Sequence, residues 1–197
     1  MTPNAKGEAA VAPRRRLLAV SGSLRAGSFS TAILKALATA SASRADYDFA
    51  DIGALPHFNQ DLYVSPLPES VRIFRDLVTS ADGLVISSSE FNHGVPGVLK
   101  NALDWASRPH NSSPLKAKPV LIITSSPAFT GGVRAQYQIR ETVTSALARP
   151  VATPEIVVGS VGTKMSEGEF EDDATMQFAL AGLEAMYAEI DRNRQPH

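Results

Sequence analysis

Ser23, Arg25, Gly27, Ser28 and Ser30 fall within eight residues of one another, in the stretch SGSLRAGSFS at 21–30. Small hydroxyls, a permanent cation and glycine-freed backbone are the groups that hold an oxyanion. The stretch leaves an apolar run, LLAV, and enters a helical pattern, TAILKALATA. Unpaired N–H groups at such a helix start, with the helix dipole, attract negative charge. Ser23, Ser28 and Ser30 add hydroxyl donors, Arg25 adds a charged fork, and Gly27 lets the backbone come close. The plainer reading leaves Ser28 as a helix cap and Gly22 and Gly27 as a turn. The patterns G-x-x-x-x-G-K, G-x-G-x-x-G and G-x-S-x-G are absent from the loop, and the chain has no cysteine to attack phosphorus. The anion is held, not attacked.

Two further stretches are rich in small polar residues: SSSEFNHGVPGVLKNALDWASRP at 87–109 and TSSPAFTGGVRAQ at 124–136. Phe91 beside Asn92 and His93 suits a flat, hydrogen-bonding ring. A phosphate cradle with two ring-gripping loops points to flavin mononucleotide. No residue is assigned as catalytic. His57 reads as a surface or interface residue, and His93 offers a backbone N–H before an imidazole. Lys100 and Asp104, four apart, read as a helical ion pair. Trp105 reads as a packing or subunit-contact residue. Asn111-Ser112-Ser113 is a sequon without a signal peptide. No His/Asp/Glu cluster has metal-ligand spacing.

These loops need a scaffold. Four apolar runs, at 17–20, 83–87, 120–124 and 155–159, do not alternate with polar residues. Such runs suit parallel strands buried on both faces. A fifth, YDFADI at 47–52, alternates like an edge strand, with Tyr47, Phe49 and Asp51 facing one way. Helical spacing covers 29–42, 68–80, a segment opened by Pro96, 133–148 and 172–191. This alternation predicts an α/β flavodoxin-like three-layer sandwich, with a five-stranded parallel sheet in the order 2-1-3-4-5. The three polar stretches then lie at 21–30, 88–96 and 124–132, past the carboxyl ends of the strands, where such sheets bind ligands. The irregular stretch 53–66 is long for a connection.

The 197 residues suit one domain, read as 14–192 between a disordered tail at 1–13 and a short tail at 193–197. A net charge of −1 gives no support for a nucleic-acid partner. Absence of cysteine excludes disulfides and thiolate chemistry and fits the cytoplasm. Arg14, Arg15 and Arg16 precede only Leu17–Val20, too short for a secretory core, and no run reaches membrane-span length.

GSLRAGSFS followed by EFNHGVPGVLKNALDWASRP closely resembles the NADPH-dependent FMN reductase family, which includes quinone, azo and chromate reductases. LPHFNQDL at 55–62 and GGVRAQYQIR at 131–140 add to the likeness, which covers about residues 16–190. The resemblance implies FMN as cofactor and NADPH or NADH as co-substrate. It places the phosphate loop on Ser23, Leu24, Arg25, Ala26, Gly27, Ser28, Phe29 and Ser30. The ring loop falls on Glu90, Phe91, Asn92 and His93, with a third contact at Ser126. The acceptor it implies is a quinone, azo compound, metal oxyanion or free flavin. It also implies a homodimer or homotetramer, for which Trp105, segment 106–114 and the loop around Phe58 offer a patch. The chain departs from the pattern at Ser89 (usually Pro), Phe91 (usually Tyr) and Ser30 (often Asn). The helix beginning near Gly131 is expected to turn its positive end to the flavin N1–O2 edge. Arg108 and Arg134 are the candidates for a nicotinamide 2′-phosphate. The alternative is a flavodoxin-like electron carrier with a protein partner; near-neutral charge favours the enzyme.

Overall fold

The computed structural model describes residues 14–194. The expected tail at 1–13, and residues 195–197 of the second tail, lie outside the described residues. The main sheet is parallel throughout. It contains β1 (Arg15–Ser21), β2 (Ala45–Phe49), β3 (Gly83–Ser89), β4 (Pro119–Ser125), β5 (Arg149–Pro150) and β6 (Ile156–Val158). The order is β2-β1-β3-β4-β5, with β6 also on β4, and this is the flavodoxin-like order the sequence predicts. Among the described residues five α-helices, α1 (Phe29–Ala40), α2 (Glu69–Ser80), α3 (Gly97–Ala106), α4 (Val133–Ser145) and α5 (Asp173–Arg194), cover the two faces.

The central strands lack alternation because both faces are covered. On one face Leu18, Val20, Leu84, Ile86 and Ile122 meet α2, α3 and α4. On the other, Leu17, Ala19, Val85, Leu121 and Ile123 meet α1 and α5. Successive residues feed opposite layers, so the middle positions of these strands are apolar in turn. At the open margin, Asp46 and Asp48 of β2 pair with Arg14 and Arg16 at 2.8 and 2.9 Å.

Three boundaries differ from expectation. The edge strand ends at Phe49, because Asp51 turns the chain by accepting from Gly53 N–H at 3.1 Å. The last strand is split: β5 pairs with Pro119 and Val120, and β6 with Ile123–Ser125, so that the five residues 151–155 stand where β4 has only Leu121 and Ile122. Pro150 precedes this break and Pro154 lies within it, and neither can donate a ladder bond. Helix α5 continues to Arg194, so residues 193 and 194 belong to it and not to a tail.

A hairpin absent from the sequence reading follows β6: β7 (Met165–Ser166) and β8 (Glu169–Phe170), turning through Glu167 (φ 48°) and Gly168 (φ 87°). Two successive positive φ values mark a two-residue primed turn.

The long connection between β2 and α2 is irregular but tethered. Trp105 of α3 donates from its indole N–H to the Pro56 carbonyl at 2.8 Å, and Phe58 meets the Trp105 ring edge-on at 4.9 Å. Asn101 donates to Pro56 O at 3.0 Å and accepts from Phe58 N–H at 2.7 Å. Trp105 is wholly buried. It packs inside the subunit, which removes it from the surface patch expected to meet a second copy.

Candidate functional site

The first loop is pinned at its base. Gly22 N–H donates to Ser87 O at 2.8 Å, and a Cβ on Gly22 would lie 2.3 Å from the Ser88 hydroxyl. No side chain fits where β1 passes β3 into the loop. Ser21 and Thr31 share a hydroxyl hydrogen bond of 2.9 Å, tying the strand end to α1. Ser28 is the cap of α1: its Oγ accepts from Thr31 N–H at 3.3 Å. The first backbone carbonyl bond into the helix runs from Ala32 N–H to Ser28 O at 3.0 Å. The earlier N–H groups, at Phe29 and Ser30, have no intrahelical acceptor. Arg25 lies over the Phe29 ring at 5.0 Å and has no carboxylate partner among the described residues. An uncommitted guanidinium beside unpaired helix N–H groups is the charge pattern a phosphate requires. Ser30 is buried and its hydroxyl has no partner. The buried hydroxyls of Ser87 and Ser125, at the ends of β3 and β4, are also unpartnered.

The second loop is a tight turn. Phe91 and Gly94 exchange backbone bonds of 3.1 and 2.9 Å around Asn92 (φ 48°) and His93 (φ 64°). Gln138 of α4 holds it from the side, accepting from Val95 N–H at 3.0 Å and donating to His93 O at 3.3 Å. Phe91 is 61% exposed, so it is not a core residue tucked under the loop. His57 and His93 are exposed.

Glu90 reaches across to α4. Its carboxylate accepts from Arg134 N–H at 2.9 Å and Ala135 N–H at 3.1 Å. It is thus the anion at the N-terminus of α4, with the Arg134 guanidinium 3.7 Å away. The positive end expected to face a flavin edge is satisfied within the protein, and Arg134 is turned to Glu90. Lys100 and Asp104 pair at 2.7 Å as their spacing predicts. Arg108 lines a separate cavity of about 320 Å³ between α3 and α4, with His110 and Glu141.

The third loop runs from Ser126 to Gly132. Ser126 N–H donates to Val158 O, its carbonyl accepts from Val161 N–H, and its hydroxyl accepts from Ala128 N–H, each at 3.1 Å. Ser126 therefore shapes this loop against β6.

The structure brings two of the loops around one cavity of about 490 Å³. Gly22, Ser23, Leu24 and Arg25 line one side; Phe91, Asn92 and Val95–Val98 line the other. Ala26–Ser30 carry the first loop onward into α1, and Ser126 stands beside the second loop and not in this lining. Sequence reading missed Val95, Val98 and Gln138. The two valines follow the polar loop directly, and Gln138 sits in the stretch GGVRAQYQIR, but its reach to residues 93 and 95 needs the folded geometry. No group of His, Cys, Asp or Glu suited to a metal ion occurs among the described residues.

Such a cavity, open, with a guanidinium on one side and an aromatic ring on the other, fits FMN. Comparison with known proteins agrees. Residues 15–163 match the family described as NADPH-dependent FMN reductase. An NAD(P)H-dependent FMN reductase of Pseudomonas aeruginosa is 34% identical over 180 residues, covering 91% of this chain and 97% of that one. A quinone reductase of Escherichia coli is 36% identical over 175 residues, covering 87% and 93%. Among solved structures, FerB, a flavoenzyme NAD(P)H:(acceptor) oxidoreductase from Paracoccus denitrificans, superposes with a TM-score of 0.82 at 28% identity, covering 90% of this chain and 98% of that one.

Proposed function

Because the chain belongs to the NADPH-dependent FMN reductase family, we propose that its cavity holds FMN and that it passes electrons from NADPH or NADH to a small-molecule acceptor, of which a quinone is the first candidate. It is an oxidoreductase acting directly, not a carrier that needs a protein partner. The observation that carries the reading is the meeting of the 21–30 and 90–96 loops around one cavity with an uncommitted Arg25 at its edge.

Arg25, the Ser23 hydroxyl and the N–H groups of Phe29 and Ser30 hold the phosphate. Phe91, Asn92 and the backbone at His93 set the ring, with Ser126 shaping the neighbouring wall. Bound FMN supplies the electron chemistry, accepting hydride from the nicotinamide and passing electrons to the acceptor. The protein's own part is to bind, orient and leave one face open, so donor and acceptor use it in turn. Two or four copies assemble through segment 106–114 and the loop around Phe58. Work with NAD(P)H fits a cytoplasmic enzyme.

Steady-state oxidation of NADPH and NADH with 1,4-benzoquinone, and no added protein, tests the function. No turnover by the FMN-loaded protein would refute it. The phosphate assignment has its own test. Arg25→Ala removes a hydrogen bond to a charged group worth about 1.5–3 kcal/mol, so FMN affinity should fall about ten- to a hundred-fold. Flavin fluorescence titration of the apoprotein reads this directly. An unchanged dissociation constant at ordinary salt would move the phosphate elsewhere.

A further inference from the structure

Each of the three loops at the ligand end lifts one large apolar side chain into solvent: Leu24 and Phe91, both 61% exposed, and Phe129, 88% exposed. Strand order sets them in a row, with the β1 and β4 loops on either side of the β3 loop. Leu24 and Phe91 line the FMN cavity. Phe129 has no part in the function argued so far.

Its exposure is not slack in the chain. Ala128 O accepts from Ser160 N–H at 3.1 Å and from Gly131 N–H at 3.3 Å. The Phe129 carbonyl is so close to Gly159 that a Cβ there would lie 2.2 Å from it. Gly131 has φ +61°, and a Cβ on it would meet Val157 at 2.5 Å. The backbone is held on both sides of Phe129 while the ring stands in water, forgoing burial that an aromatic ring ordinarily gains. The loop also abuts the ring loop, since the Cβ position of Gly132 lies 3.4 Å from Glu90 Cβ, next to Phe91. Its residues, SPAFTGG at 126–132, include no charged side chain. The loop offers no charged side chain to a pyrophosphate, which favours the acceptor over a nicotinamide nucleotide.

We propose that Phe129 is a specificity-determining residue for the acceptor, and that it favours acceptors carrying apolar surface beyond the reducible ring. This rests on the FMN reading of the cavity. A planar acceptor on the open flavin face would lay an apolar substituent against the Phe129 ring, whose backbone is held in place. A small or charged acceptor would gain nothing from it.

The test uses the FMN-loaded enzyme with 1,4-benzoquinone, decyl-substituted benzoquinone and ferricyanide. Phe129→Ala should raise KM for the decyl quinone about ten-fold, the scale of partly covering one aromatic side chain. KM for the other two acceptors should stay within about two-fold on the same ground, since they offer little apolar area. Phe129→Leu should restore most of the loss. Binding without turnover gives a second readout: the unreactive 2-decyl-1,4-dimethoxybenzene, titrated into oxidised holoenzyme and followed by flavin absorbance, should weaken in parallel. An equal KM change for all three acceptors, or none, would overturn the proposal while the function stands. So would weakened FMN binding, which would make Phe129 a cofactor contact. Altered sedimentation with unchanged KM would assign the ring to a contact between copies and also overturn it. A wild-type enzyme that oxidises NAD(P)H with none of the acceptors sinks the functional reading, and this inference with it.

Discussion

Trp105→Ala should cost about 3–5 kcal/mol of folding stability, the range for emptying a large aromatic site in a packed core. The indole is wholly buried, touches Phe58 edge-on and donates to Pro56 O. Losing its N–H does not orphan that carbonyl, because Asn101 still donates to it. The cost is therefore mostly cavity and lost contact. Domains of this kind have about 5–15 kcal/mol in all, so the loss is a large share. Urea unfolding of the apoprotein measures it. Trp105→Phe keeps most of the ring and should cost much less. The connection at 50–68 should also become open to protease, since Trp105 and Asn101 are its ties to α3. A loss under about 1 kcal/mol, with altered association between copies, would put the indole outside the core and contradict the structure.

Glu90→Ala should be the next largest. Two N–H groups at the start of α4 lose a charged acceptor, and each such bond is worth about 1.5–3 kcal/mol. The helix also loses a favourable charge at its positive end, worth roughly 0.3–1 kcal/mol. Some of this returns as water reaches the freed N–H groups, so about 3 kcal/mol is expected. The nearby Arg134 contact adds little, since that guanidinium is half exposed. Glu90→Gln keeps the shape and one acceptor oxygen and should lose about half as much on the same basis. Because Glu90 ties the ring loop to α4, the alanine variant should also bind FMN more weakly than its loss of stability explains. Measuring FMN affinity under conditions where the apoprotein remains folded separates the two. Wild-type stability in Glu90→Ala would show that the bridge contributes nothing.

The fold was legible because the central strands are buried on both faces and sit between helices with clear spacing. The Ser28 cap was legible too, as one of two readings, because caps are local. The split of the last strand was harder. RPVATPEIVVG contains the prolines that break it, yet IVV alone looks like an ordinary strand. The hairpin at 165–170 has strands of two residues, too short for any period to show. Resemblance puts Glu90 in the ring loop, but its partners lie 44 and 45 residues away. No local pattern reports such a bond. Trp105 could have faced inward or outward; helical spacing leaves that choice to tertiary packing.

The two margins of the sheet bear on behaviour at high concentration. A free strand edge is a template onto which another chain can add, and proteins blunt it with charge, proline or brevity. Here β2 offers aspartates already paired with arginines, and the far side offers a two-residue strand ending in Pro150 and a three-residue strand beyond a break. Neither margin gives an incoming strand a long, regular ladder. The protein should resist edge-to-edge aggregation when crowded, even with a sheet whose centre is almost wholly aliphatic.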